Sequence, residues 1–204
     1  MSNAFVGYPK IPRLSRDMIV TEKLDGTNAQ VFITFDPADV QHKHPGVYPS
    51  AVVMAEVGPL YLFTGSRNRW VTPHSDNFGF AKWVADNATE LAKLGCGRHF
   101  GEWYGRGIQR GYGLDERRFA LFNTSRWNES NIPTCCSVVP VLMEGVFDTT
   151  LVDRSLDYLR NRGSVAVPGY PNPEGVVVFH AASGVLFKKT LKDDESPKTK
   201  EISK

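Results

Sequence analysis

A mixed α+β domain is what the sequence predicts, and three observations predict it. Eight alternating or β-branched runs read as strands, and only two segments carry helical periodicity. No strand–helix–strand rhythm of the kind that builds parallel sheets runs through the chain. At 204 residues, with 41% hydrophobic and 11% aromatic content, one well-packed domain forms without disulfide staples.

Strands are expected, in chain order, at Ala29–Phe35, Ala51–Val57, Leu60–Thr64, His99–Trp103, Phe119–Asn123, Val138–Val146, Gly175–His180 and Val185–Lys188. Between the first two lies Asp36–Pro49, rich in Pro, His and Gly, which reads as a loop or hairpin connection. A helix is expected over Asn77–Leu94, with Phe80, Trp83, Val84, Ala88 and Leu91 on one face, Asp76 as N-cap and Gly95 as stop. A shorter helix, Asp153–Arg162, stops at Gly163. The charged stretch Lys192–Lys204 has almost no apolar residues and is expected to fray.

Composition excludes several classes. With 24 Lys+Arg against 22 Asp+Glu, bulk charge does not announce a nucleic-acid binder, so any basic surface must arise by local clustering. Cys96, Cys135 and Cys136 form neither a disulfide framework nor a metal pattern, which reads as a reducing cytoplasm. Met1–Arg16 holds no apolar run, so no signal peptide or membrane anchor is expected. The glycosylation-like triplets at Asn87, Asn123 and Asn128 are then coincidental. His42 and His44 have metal-ligand spacing but no further ligand cluster, and read as a solvated loop.

The sharpest local feature is Glu22-Lys23-Leu24-Asp25-Gly26-Thr27-Asn28, just before a predicted strand. A lysine attacks phosphorus only as the neutral amine. An ordinary lysine pKa of about 10.4 leaves roughly one amine in a thousand neutral near neutrality, a cost of about 4 kcal/mol. Neighbouring cations, a bound metal or desolvation removes most of it. Lys-x-Asp-Gly alone is weak, since an Asp-Gly surface turn is common.

Further segments accompany it in order along the chain, and with them the chain resembles the covalent nucleotidyltransferases: DNA ligases, RNA ligases and mRNA capping enzymes. Lys23-Leu24-Asp25-Gly26 resembles their nucleophile motif. Gly65-Ser66-Arg67 is similar to the segment whose arginine contacts a nucleotide phosphate. Phe100-Gly101-Glu102-Trp103-Tyr104-Gly105 is similar to the motif that places a glutamate, here Glu102, on the ribose. Phe119-Ala120-Leu121-Phe122 resembles the strand whose aromatic, here Phe122, stacks on the purine. Glu174-Gly175-Val176-Val177-Val178 resembles the motif whose glutamate helps place the metal, and Leu186-Phe187-Lys188-Lys189 the one whose lysines hold phosphates.

The resemblance implies a nucleotidyltransferase core, ATP-grasp-like, of antiparallel sheets with flanking helices. Lys23 is the implied nucleophile toward ATP, with Mg2+ (or Mn2+) at Glu174. Nucleotide binding is expected at Glu22 (near the adenine edge), Asp25, Gly26, Asn28, Arg67, Glu102, Phe122, Lys188 and Lys189. Neighbours on a strand face opposite sides, so of the two lysines Lys188 is expected in the pocket. Arg106, Arg110, Arg117 and Arg118, interleaved with Tyr104, Ile108 and Tyr112, form a basic-aromatic stretch where Arg106 and Arg110 are candidate nucleic-acid contacts.

The motif wording looks most like the RNA-sealing branch related to phage nick-sealing and editing ligases, with RNA as partner. Asp25, however, stands where part of that branch has histidine. The alternatives are a DNA nick ligase, a capping enzyme using GTP, and a non-catalytic nucleotide- or RNA-binding module. Residues 1–191 are expected to form the adenylation domain. The short stretch beyond Lys188 leaves no room for the OB-fold or helical domain of larger relatives, so a minimal ligase or one with a protein partner is expected.

Overall fold

A computed structural model describes residues 5–192 and 194, so the tail expected to fray falls almost wholly outside the described residues. The elements are β1 (Asp17–Lys23), β2 (Thr27–Thr34), α1 (Ala38–Gln41), β3 (Ala51–Ala55), β4 (Gly58–Ser66), β5 (Trp70–Val71), α2 (Phe80–Asp86) and α3 (Ala88–Leu91). They continue with β6 (Gly97–Gly105), β7 (Arg117–Leu121), β8 (Cys136–Val138), β9 (Val141–Val146), α4 (Thr149–Arg162), β10 (Gly175–His180) and β11 (Val185–Thr190).

Two sheets share the chain. The smaller runs β11-β10-β1-β9, and the larger β3-β4-β2-β6-β7-β8 with β5 attached to β4. All pairings are antiparallel except β7 with β8. β1 lies inside the smaller sheet, which explains its Asp-Met-Ile-Val-Thr-Glu-Lys sequence. Met18 and Val20 point into a core with Val152, Leu156 and Leu159 of α4, while Ile19 and Thr21 point the other way, into a cleft. Both faces are used, so the run lacks the plain apolar-polar alternation of a half-buried strand.

Behind the larger sheet, Ala29, Val31 and Ile33 of β2 and Trp103 and Phe119 of β6 and β7 pack on Phe80, Val84 and Leu91. Each such fully buried large side chain contributes about 1.5–3 kcal/mol. A third cluster, with Leu24, Tyr104, Tyr112 and Ala120, sits beneath the turn that joins β1 to β2.

Where expectation and structure differ, the cause is local. The single helix expected over Asn77–Leu94 is broken at Asn87, whose φ of −112° leaves the helical region and whose amide donates to the Trp83 carbonyl. Asp76 does satisfy the helix start, but from outside the cap position. Its carboxylate accepts from the Ala81 and Lys82 N–H groups while Gly79 occupies the N-cap. The strand expected over Val138–Val146 is two strands, because Pro140 has no N–H for a ladder. α4 begins at Thr149, earlier than expected, because the Asp148 side chain caps it by accepting from Thr150 N–H.

Candidate active site

The two sheets face each other across a cleft of about 770 Å3, a volume typical of small-molecule sites. Lys23 ends β1 and pairs with Gly175 of β10, so Glu174, one residue earlier, stands beside it. Lys23 Nζ donates to Glu174 Oε2 at 2.6 Å, and the Glu174 side chain is 3% exposed. A nucleophile that lines the cleft and a buried carboxylate 151 residues away thus meet.

Across the cleft, Asn28 of β2 pairs with Glu102 of β6. Glu102 Oε1 accepts from Gly26 N–H at 3.1 Å, tying the turn after Lys23 to the larger sheet. Gly26 is required there, since a Cβ would meet the Trp103 carbonyl oxygen at 2.4 Å and Tyr104 Cβ at 2.8 Å. Burial pushes the Glu102 carboxyl up to about 7; Lys23 and the Gly26 N–H pull it down, while Glu174 and Asp25 add to the rise.

Asp25 and Arg110 brace the turn from behind. Arg110 Nε donates to Asp25 Oδ2 at 2.8 Å, and its Nη1 donates to the Asn172 carbonyl, two residues before Glu174. One guanidinium therefore links the loop carrying Lys23 to the loop carrying Glu174. Tyr112 completes the brace, its hydroxyl accepting from Asp25 N–H at 2.7 Å. The structure places Arg110, the candidate nucleic-acid contact, in an ion pair with Asp25. Its neighbours are also committed: Tyr104, Ile108 and Tyr112 are buried, Arg117 donates to the Arg106 and Phe78 carbonyls, and Arg118 pairs with Glu116. Arg106 stands exposed.

Glu22 is buried in the wall of the cleft. Its carboxylate accepts from Ser164 Oγ at 2.6 Å and from the Val165 and Ala166 N–H groups, and so holds the turn after α4. Burial pushes its carboxyl up against the pull of those three donors. Glu22 thus positions that turn while lining the cleft.

Strand alternation separates the two lysines. Lys188 pairs with Val177 and lines the cleft, whereas Lys189 pairs with Val176 and reaches Asp153 of α4 at 2.7 Å. The structure thus places Lys189 on the helix side, outside the cleft lining. Arg67 lies in the exposed turn between β4 and β5, outside the cleft lining. Phe122, just past β7, is 38% exposed and lines the cleft.

The sequence reading assigned no individual role to Tyr112, Ser164 or the cleft-lining pair Arg98 and Phe100. The Gly-Tyr-Gly around Tyr112, which has φ of +56°, was the one available signal. Among the described residues no group of three or more His, Cys, Asp or Glu is placed to hold a metal, His42 and His44 included. A metal here would share Glu174 with oxygens of a bound nucleotide. No helix among the described residues is long and apolar enough to cross a membrane.

Comparison with known proteins bears on the family and the fold. The RNA ligase family model matches residues 16–190. Among solved structures, a Naegleria gruberi RNA ligase mutant with AMP and Mn has a TM-score of 0.55 at 18% identity, covering 86% of this chain and 49% of that chain. Another mutant of that ligase, with ATP and Mn, gives 0.53 at 17% identity, covering 87% and 50%. The likeness establishes a shared α+β fold, and the chain spans about half the length of those structures. A search of curated proteins finds no match.

Proposed function

The chain belongs to the RNA ligase family, and from that premise we propose that it takes AMP from ATP onto Lys23 and passes it to RNA ends for sealing. One observation carries the reading: Lys23 and Glu174 in contact at 2.6 Å, with Glu102 across the same cleft.

In the first step Lys23 Nζ forms a bond to the α-phosphorus of ATP as the bond to pyrophosphate breaks, and the amine gives up a proton. A lysine ammonium has no lone pair to offer, so Nζ sheds one proton to solvent before attack; the neutral amine can still donate an N–H to Glu174 while its lone pair faces the phosphorus. Mg2+ (or Mn2+), held by Glu174 together with the nucleotide, would supply charge neutralisation as pyrophosphate leaves. Lys188, on the wall formed by β11, neutralises phosphate. Glu102 receives the ribose hydroxyls, and Phe122 offers its ring to the purine. AMP then moves to a 5′-phosphate, and a 3′-hydroxyl displaces it. Each step is an in-line displacement at phosphorus in which positioning is the main contribution.

The test is a chase. Wild-type protein loaded from labelled ATP, with GTP in parallel, is given 5′-phosphorylated RNA with a 3′-hydroxyl neighbour. The reading predicts label moving from protein to RNA end, then release as AMP with a longer RNA product. Label accepted only from GTP, or retained on protein against both RNA and DNA ends, would overturn it.

A further inference from the structure

The cleft is longer than its chemistry at Lys23 requires. From Glu102, β6 runs outward through Phe100 to Arg98, all three on the cleft face, in steps of about 7 Å. Phe100 is 46% exposed and lies beside Phe122 on the next strand, where Phe122 N–H donates to the Phe100 carbonyl. Two open phenyl rings thus stand side by side, and the purine reading occupies only one.

Arg98 is fixed rather than loose. Its guanidinium sits 4.4 Å from the Phe32 ring centroid and 5.3 Å from that of Trp70, and its Nη1 donates to Gln30 Oε1 at 2.9 Å. Held against the rings in this way, it keeps further N–H groups for an anion. Arg126 flanks the same end of the cleft. The carboxylates lining the cleft, Glu22 and Glu102, both belong to the Lys23 end, so this outer lobe is cationic and aromatic without a carboxylate of its own.

We propose that the outer lobe, with Phe100 and Arg98 at its centre, grips single-stranded RNA next to the break, one base stacking on Phe100 and a phosphate resting on Arg98. The proposal rests on the RNA-sealing reading. Paired bases keep their faces covered by their neighbours, so a ring on a sheet surface can stack only on an unpaired base. Arg98 holds the adjacent backbone at the spacing the strand sets.

The experiment measures fluorescence anisotropy of labelled RNA of about twelve nucleotides, within the usual span of such sites. Single-stranded and fully paired forms are compared on wild type, Phe100→Ala, Phe100→Trp and Arg98→Gln. Lysyl-AMP formation is measured on the same samples. Phe100→Ala and Arg98→Gln are each expected to weaken single-strand binding about tenfold, Phe100→Trp to restore it, and paired RNA to bind weakly and alike to all four. Lysyl-AMP formation should persist in every variant. Unchanged single-strand affinity, an equal loss for paired RNA, or a parallel fall in lysyl-AMP would overturn the proposal. Absence of lysyl-AMP in wild type would instead strike the parent reading, while the titration still reports on the outer lobe.

Discussion

Glu102 sets burial against charge. Its carboxyl is pushed up to about 7 in the folded protein against an ordinary value of 4.5. Between those values the native state holds more protons than the unfolded one, so stability falls as pH rises through that window and levels above it. Glu102→Gln removes the dependence. The variant should match wild type below pH 4.5 and exceed it by up to about 3 kcal/mol above pH 7, read from urea unfolding at the two extremes. An equal difference at both would contradict the assignment. Ribose hydroxyls donating to the carboxylate favour its charged form, so nucleotide uptake just below pH 7 should release a proton. Glu22, also pushed up by burial, is a carboxylate held by three donors. Glu22→Ala leaves those donors buried and unpaired, and should cost about 3 kcal/mol or more; a loss under about 1 kcal/mol would show that the turn does not depend on it. Neither environment is legible in sequence. Both glutamates belong to motif segments, and only the fold ties Glu22 to the turn after α4 and Glu102 to the Gly26 N–H.

At the scale of elements, alternation along β11 was legible and decisive. Lys188 and Lys189 are adjacent, and strand geometry sends one to the cleft and the other to α4. Lys188→Ala is expected to lower the rate of AMP transfer at least about tenfold, by loss of a phosphate-facing cation. Lys189→Ala removes an exposed ion pair and should change stability by under about 1 kcal/mol and AMP transfer little; the two rates measured side by side decide it, and a reversed order would refute the register. Gly175 controls the same strand, since a Cβ there would lie 2.3 Å from the Lys189 carbonyl oxygen. Gly175→Ala should therefore displace β11 and weaken nucleotide binding by titration, with the core behind the larger sheet intact. Strands β2, β4, β6 and β10 were readable because one face is apolar. β1 was not, because its cleft face carries Ile19 and Thr21 as well. The expected strand over Val138–Val146 ran through Pro140 although its missing N–H was there to read, whereas the break at Asn87 depends on a side-chain bond to Trp83 that spacing does not announce.

Across the whole molecule, the cleft is the seam between two sheets that each own a separate core. Of the motif residues read from the sequence, Lys23, Asn28, Glu102, Phe122 and Lys188 come together at the cleft, whereas Arg67 and Lys189 do not. The bracing was not legible in the sequence, because Arg110 meets Asp25 across 85 residues of sequence and a surface role fitted its neighbours equally well. A ligand bridging the seam stabilises both sides together. With Lys23→Ala to prevent covalent capture, Mg2+–ATP at about a hundred times its Kd should add about 2.7 kcal/mol, a rise of roughly 5–10 °C in Tm. Two separate transitions, with only one shifted, would place the nucleotide on a single sheet.

The central claim is that the Lys23 amine is where AMP becomes attached, and one measurement meets it directly. Folded protein stripped of pre-bound nucleotide is incubated with ATP and Mg2+, then analysed by intact-mass spectrometry and peptide mapping beside Lys23→Ala. The account predicts one AMP per chain, on the peptide containing Lys23, and none on the variant. AMP on another residue, or no AMP on folded wild type, would contradict it.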